Sequence, residues 1–444
     1  LTVHVPPGTA PGQYVGTVSL TPEKASATDL PLIVRVYPCE LADPEGVALG
    51  MYDTLWSARL DPTWLRDRFA DMRAHGMTTV GYCGDVNGRI ELRAGRAEVV
   101  FDGSSRLEQV MAAYQQAGFS QPLLWLMGNE IWQWCSAQAE PGSEQFAAVY
   151  RQVIDSILQQ VRRRGWPGIV FQPVDEPGSL GRRGNAHLIE SWAEQCRLIK
   201  EAGGTVEVDH IPLSTTDPRL QGALERALPH LDIFTQRFST RPIWFEQDGW
   251  WWDRMREQIA KWGKQLWSYN INDAHFFPEL ATLRLAYGFF IWQQQVGGQL
   301  LWVYQSASEN PLNCLDGTYT DMMYTWPSLS QAGFAGGPSL MWECIREGVD
   351  DLRYLHTLEQ LIRQAEAEGR EASAQRARAL LSQLAGSFDF EQLRAHTDYL
   401  DCRWEQAQIA PSGGGTVSGG FQVPIGWDLA DYDRWRRRIA DEIV

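Results

Sequence analysis

The 444-residue chain reads as an α/β protein built on a (β/α)8 TIM barrel. Three observations carry that reading. From residue 46 onward, short apolar runs alternate with helical periodicity, strand then helix, eight times over roughly 320 residues, the rhythm of such a barrel with insertions. Several runs end in polar or acidic residues, as strands do at the carboxyl edge of a parallel sheet. No Gly-rich phosphate loop follows the first strand, so a doubly wound nucleotide-binding sheet, the alternative architecture, is without support.

Residues 1–40 read as the end of a β-sandwich. Thr2-Val3-His4-Val5 alternates, Pro6-Pro7-Gly8 and Pro11-Gly12 punctuate, and residues 14–20 and 32–36 alternate again. Three strands cannot bury a two-sided core, so they are expected to pack on the barrel domain or to complete a sandwich lying upstream. The barrel is assigned to residues 41–368. Its strands are expected at 47–51, 78–82, 122–127, 169–173, 205–208, 231–234, 264–269 and 299–304. Its helices are expected at 62–75, 105–117, 143–164, 185–202, 217–227, 251–262, 279–293 and 339–367. Pro62 suits a first helical turn, and residues 89–101 read as a hairpin inserted after the second strand. Residues 369–444 read as a helical extension, with helices at 370–384, 388–405 and 428–444 and a Gly/Ser-rich loop at 411–420.

Composition narrows the function. A formal charge of −16 argues against nucleic acid, which requires a basic surface to replace counterions. No window holds the ~18 uninterrupted apolar residues of a membrane span. Seven dispersed cysteines lack CxxC or His-paired spacing, so neither a zinc motif nor a redox motif is expected, and no cofactor or metal is assigned. The compartment stays open, with an extracellular or periplasmic location favoured over a cytoplasmic one; homo-oligomerisation is also open. Among 20 tryptophans, Trp125, Trp132, Trp134, Trp244, Trp250, Trp251, Trp252, Trp267 and Trp302 are expected at or beyond strand ends rather than on helix faces. There, aromatic planes would suit flat apolar ligand faces such as those of sugar rings.

Barrel chemistry sits just after each strand. The candidates in strand order are Tyr52 and Asp53; Asp85 and Asn87; Asn129 and Glu130; Asp175 and Glu176; Asp209 and His210; Gln236 and Arg237; Tyr269, Asn270 and Asn272; and Tyr304 and Gln305. Asx residues at such turns also serve as helix caps, which covers many of these positions. The adjacent acids of Ile169–Gly178, IVFQPVDEPG, are different. Two carboxyl groups side by side at the end of a buried strand repel and are partly desolvated, which raises one pKa and leaves the other group charged. A sugar hydrolase uses that split, one acid protonating the leaving oxygen while an anion stabilises positive charge on the ring. Neighbours on a regular strand face opposite sides, so both acids reach one pocket only if the strand breaks, as Pro177-Gly178 allows. These acids have no His partner nearby in sequence, which weighs against a metal site.

Five segments in order carry a family resemblance: VHVPPGTAPGQYVGTVSL, FQPVDEPG, GKQLWSYN, GGQLLWVY and PSLMWECIREGVDDLRYLHTLEQL. Together they resemble glycoside hydrolase family 123, retaining β-N-acetylgalactosaminidases with a β-sandwich before a (β/α)8 barrel. The resemblance implies catalysis assisted by the substrate, whose 2-acetamido oxygen attacks the anomeric carbon to give an oxazolinium intermediate. It implies that Asp175 orients and stabilises the acetamido group and that Glu176 is the general acid and then the base. By strand-end placement, Tyr269 would donate to the acetamido oxygen and Trp302 would wall its methyl. Asn270, Tyr304, Asn129, Glu130, His210 and Gln236 complete the expected substrate-binding set. The Trp-heavy segments 132–134 and 250–252 depart from the family pattern. The expected partner is a glycan or glycoconjugate. The competing readings are a β-N-acetylglucosaminidase or another hydrolase of the same fold, and a silent carbohydrate-binding barrel.

Overall fold

The computed structural model describes residues 3–55, 60–179, 188–211, 217–237, 252–269, 280–306, 322–327, 336–387 and 427–444. The expected helix at 388–405 and the Gly/Ser-rich loop at 411–420 lie outside them, as do Asn270, Asn272, Trp244, Trp250 and Trp251. The chain divides into two compact units. One draws on Leu1–Pro44, Asp351–Phe388 and Trp427–Val444, and the other is built on Glu45–Asp350.

The first unit opens with a hairpin of β1 (Gly12–Leu20) and β2 (Thr28–Val36), paired antiparallel from Gly12↔Val36 to Leu20↔Thr28. Residues 3–5 are not a strand, so two strands stand where three were expected. Val15 and Ile33 on this hairpin are 70% and 61% exposed.

The second unit is a closed parallel barrel, as expected. Its strands are β3 (Ala48–Thr54), β4 (Gly81–Gly84), β7 (Leu123–Met127), β8 (Ile169–Gln172), β9 (Thr205–Asp209), β10 (Ile233–Arg237), β11 (Gln265–Tyr269) and β12 (Gly298–Leu301). They close in the order β10-β11-β12-β3-β4-β7-β8-β9, and the hairpin β5 (Arg89–Arg93) and β6 (Arg96–Val100) is inserted after β4. Around it run α1 (Pro62–Ala74), α2 (Arg106–Ala117), α3 (Glu130–Gln138), α4 (Glu144–Arg164), α5 (Leu188–Glu201), α6 (Pro218–Ala227), α7 (Trp252–Lys261), α8 (Leu280–Tyr287) and α9 (Phe289–Gln294). The helix α10 (Leu340–Ala367) begins in this unit and ends in the first, where α11 (Glu371–Ala385) and α12 (Leu429–Ile443) follow. No helix among the described residues is long and apolar enough to cross a membrane.

Local chemistry places these helices. The Asp61 carboxylate caps α1, accepting from Thr63 N at 2.8 Å and Trp64 N at 3.0 Å, with Pro62 at the first turn. Ser105, Ser143 and Asp217 cap α2, α4 and α6 in the same way. The helix expected at 279–293 is two, α8 and α9, parted at Gly288. The helix α3 was not expected, and Trp132 and Trp134 lie on it rather than beyond a strand; the Trp132 ring packs 4.8 Å from that of Phe146.

Alternation along the strands directs Ala48, Tyr52, Leu124, Leu126, Val170, Ile233, Trp267, Tyr269 and Leu300 into one core. Trp267 fits because position 298 is glycine. A Cβ there would lie 2.8 Å from the indole and 2.9 Å from the Ala48 carbonyl oxygen. Gly348, in the Arg-Glu-Gly stretch of α10, serves a similar approach, since a Cβ would overlap the Arg284 carbonyl.

His75 ends α1 with Nδ1 2.9 Å from the Asp71 carbonyl oxygen and 3.3 Å from its carboxylate, while Nε2 lies 3.6 Å from Glu343. The ring stacks on Trp342 at 4.6 Å. Burial alone would push the imidazole pKa down, but Asp71 and Glu343 raise it above the ordinary value. Burial likewise works against the Asp71 carboxylate, yet His75, Tyr304 and Trp342 hold its pKa below the usual range. A raised imidazole pKa stabilises the fold fully below the unfolded value, and that stability is lost as pH rises through the folded value. The urea-unfolding free energy of the wild type should therefore fall more steeply than that of His75→Gln as pH rises above ~6.5. Parallel pH profiles for the two proteins would show that His75 carries none of the dependence.

Candidate active site

The adjacent acids Asp175 and Glu176 follow β8, whose four residues are all buried. Val170 belongs to the core, and Gln172, two residues on, accepts from Tyr52 Oη at 3.1 Å inside the barrel. Pro173 then ends the ladder, Asp175 emerges exposed, and Pro177–Ser179 form a 3-10 turn. The break falls on Glu176 itself, which adopts φ +40°. A non-glycine residue in this region is held there by its surroundings.

Those surroundings come from β9. The Glu176 amide donates to Asp209 Oδ1 at 2.9 Å, and Glu176 Oε1 lies 2.8 Å from His210 Nδ1. His210 is also left-handed, at φ +44°, and its amide donates to the Thr235 carbonyl at 3.0 Å. Two strained residues on adjacent strands thus meet through their side chains. The Glu176 side chain is 17% exposed and that of His210 8%, so the pair faces the opening without being fully solvated.

Aromatic rings wall the same space. His210 meets Tyr269 edge-on at 4.8 Å, Tyr269 meets Tyr52 at 5.7 Å, and Tyr52 lies 5.9 Å from Trp302. The rings come from strands β3 and β11, from the residue following β12, and from the turn after β9.

The electrostatics are strongly negative. Burial, then the charges of Asp175, Glu207 and Glu176, push the Asp209 carboxyl well above the usual range, against the partial relief of the Glu176 amide. Glu207, two residues earlier on the same face of β9, is fully buried. Burial and the Asp175 charge raise its carboxyl, and the Thr235 hydroxyl eases it without a well-formed hydrogen bond to either oxygen. Burial and then Asp175 also push up the Cys83 thiol on β4. Asp175, although solvent-exposed, therefore acts on groups of two strands inside the barrel.

The structure brings together Asp175, Glu176, Asp209, His210, Tyr269, Trp302 and Tyr52, and the side chains of the other candidates among the described residues make other contacts. Glu130 opens α3, accepting from Asn87 N at 2.7 Å while its own amide donates to Asp85 at 3.0 Å. Burial, partly offset by the Asn87 amide and reinforced by Asp85, raises the Glu130 pKa. Asn129 lies before the same helix and makes no capping bond with its side chain. Gln236 is buried and donates to the Ile211 carbonyl at 3.2 Å. Tyr304 donates to Asp71 at 2.7 Å and packs on Trp342. Asp53 is buried in an ion pair with Arg68, which also bonds Gln305. Arg237 ends β10, and Asn270 lies outside the described residues.

Glu207 was not among the sequence candidates. Its signal was present in Thr205–Asp209, TVEVD, where the polar residues alternate with valine and take the barrel-facing side. Of the tryptophans expected at strand ends, Trp125 and Trp267 are buried within strands and Trp252 lies in α7, so that among the described residues Trp302 stands at the mouth.

Fold and site together define a (β/α)8 barrel with an acid-lined, aromatic-walled mouth. No family model matches the chain, and no curated protein matches it. Among solved structures it is similar to the endo-1,4-β-mannanase from Rhizomucor miehei, at 12% identity over 58% of this chain and 86% of that one, TM-score 0.39. It is similar to a family 39 glycoside hydrolase from Bacteroides cellulosilyticus WH2, at 12% identity over 78% and 72%, TM-score 0.43. A hyperthermophilic β-glucosidase from Pyrococcus furiosus is similar at 10% identity over 71% and 98%, TM-score 0.39.

Proposed function

We propose that the protein is a glycoside hydrolase, specifically a retaining exo-β-N-acetylgalactosaminidase that uses the substrate's acetamido group as nucleophile. The observation that carries this reading is the contact of Glu176 with His210, beside exposed Asp175 and within reach of an aromatic wall. Glu176 is the general acid. Its proton goes to the glycosidic oxygen as the bond to C1 breaks, while the acetamido oxygen bonds C1 and closes the oxazolinium ring. Water then attacks C1, Glu176 takes the proton from that water, and the ring reopens with net retention. His210 Nδ1 steadies whichever oxygen of Glu176 has lost its proton. Asp175 stays anionic and faces the cationic ring. Tyr269 and Trp302 flank the acetamido group.

The reading draws further support from Asp209. That carboxyl is buried, raised in pKa and occupied by the Glu176 amide, which suits it poorly to act as an enzyme nucleophile. The substrate class also draws on the resemblance of FQPVDEPG and the four other segments to family 123. A panel of aryl glycosides differing at C2 and C4 tests it. Hydrolysis should require the 2-acetamido group and favour the galacto configuration; preference for sugars with a free 2-hydroxyl would remove the substrate-assisted mechanism.

A further inference from the structure

We propose that Glu176, Asp209 and His210 also form a binding site for one divalent transition-metal ion. One donor atom from each lies within 4.8 Å of the other two. Bond lengths of about 2.0–2.2 Å place tetrahedral donors ~3.3 Å apart, so the cluster needs side-chain shifts of an ångström or so to close on an ion. Two carboxylates and an imidazole are a donor set suited to zinc and its neighbours rather than to magnesium, which prefers oxygen ligands alone. The sequence concealed the set because Glu176 follows one strand and the Asp209-His210 pair ends another, and only barrel pairing of β8 with β9 joins them.

Proximity of acids would not by itself define a site. The second observation is a set of buried polar atoms without partners at this end of β9. Glu207 is fully buried on the same face of β9, and among the described residues neither of its oxygens makes a well-formed hydrogen bond. His210 Nε2 is likewise buried without one. Unpartnered buried polar atoms are costly, and an ion held by the His210 imidazole and the two carboxylates offsets part of that cost.

An ion bound here takes the Glu176 oxygen that would otherwise carry the catalytic proton. On the glycosidase reading, zinc therefore stops hydrolysis and a chelator restores it. That consequence rests on the proposed function, whereas metal binding measured without substrate does not, so the two ideas fail separately.

The test is calorimetric titration of chelator-treated protein with zinc chloride, with the cobalt(II) absorption spectrum as a second readout. One zinc per chain should bind at micromolar Kd or tighter, and His210→Gln and Asp209→Asn should each weaken it at least about tenfold. Magnesium should bind at least about tenfold more weakly than zinc. Zinc binding only at millimolar concentration, unchanged affinity in folded His210→Gln, or equal affinity for magnesium would each overturn the site. Should His210→Gln fail to fold, Asp209→Asn and the cobalt spectrum of the wild type decide the matter. A spectrum lacking the intense visible bands of a tetrahedral site would count against it.

Discussion

Glu176→Gln is expected to lower turnover of p-nitrophenyl β-N-acetylgalactosaminide by about 10²–10⁴-fold, the usual loss when a general acid–base group is removed. Gln keeps the shape of the side chain and can still meet His210 Nδ1, so the fold and the left-handed turn at residue 176 should survive. What it cannot do is release a proton to the leaving oxygen or take one from water. The deficit should be larger for substrates with poorer leaving groups, because these depend more on protonation. Thermal unfolding close to that of the wild type, together with the leaving-group trend, separates lost chemistry from lost structure. Near-normal rates would mean that Glu176 is not the acid.

Asp175→Asn is the second large effect, a loss of two orders of magnitude or more in turnover, within the same general range. The expected loss is electrostatic in origin. Asp175 is exposed, yet its charge acts on Cys83, Glu207 and Asp209, which places it over the barrel interior where a cationic ring would form. Replacing it with a neutral isostere removes that stabilisation and also relieves the raised pKa values of Glu207 and Asp209. Stability should consequently stay within about 0.5 kcal/mol of the wild type or rise, as is usual for a substitution at an exposed site. Unchanged kcat in Asp175→Asn would remove its assigned role.

These residues were legible in the sequence because an apolar run ending in Asp-Glu-Pro-Gly is a local pattern. The barrel was legible for the same reason: each strand-helix pair carries its own periodicity, caps and turns, as Asp61-Pro62 and Ser143 show. What failed depended on contacts between strands. Sequence spacing hid the contact of Glu176 with His210, which lies 34 positions away. Both acids were expected to be partly desolvated, but Asp175 is exposed, and the crowding falls instead on Asp209 and Glu207 of the neighbouring strand. Gln236 and Tyr304 follow or end strands like the true mouth residues, but they turn to the Ile211 carbonyl and to Asp71. At a strand end, which way a residue faces depends on where regular alternation stops, and sequence spacing alone does not fix that point. The helix α3 was missed because Asn129-Glu130 reads as a turn, while the pairing of the Glu130 amide with Asp85 needs the adjacent strand.

The central claim is that Asp175 and Glu176 serve a substrate carrying its own nucleophile. The most direct measurement compares the wild-type initial rate on p-nitrophenyl β-N-acetylgalactosaminide with that on the matching β-galactoside, which has a hydroxyl in place of the acetamido group. The account predicts hydrolysis of the first and, without the acetamido oxygen, at least about 10²-fold less of the second. Equal rates on the two, or hydrolysis of the galactoside alone, would contradict it.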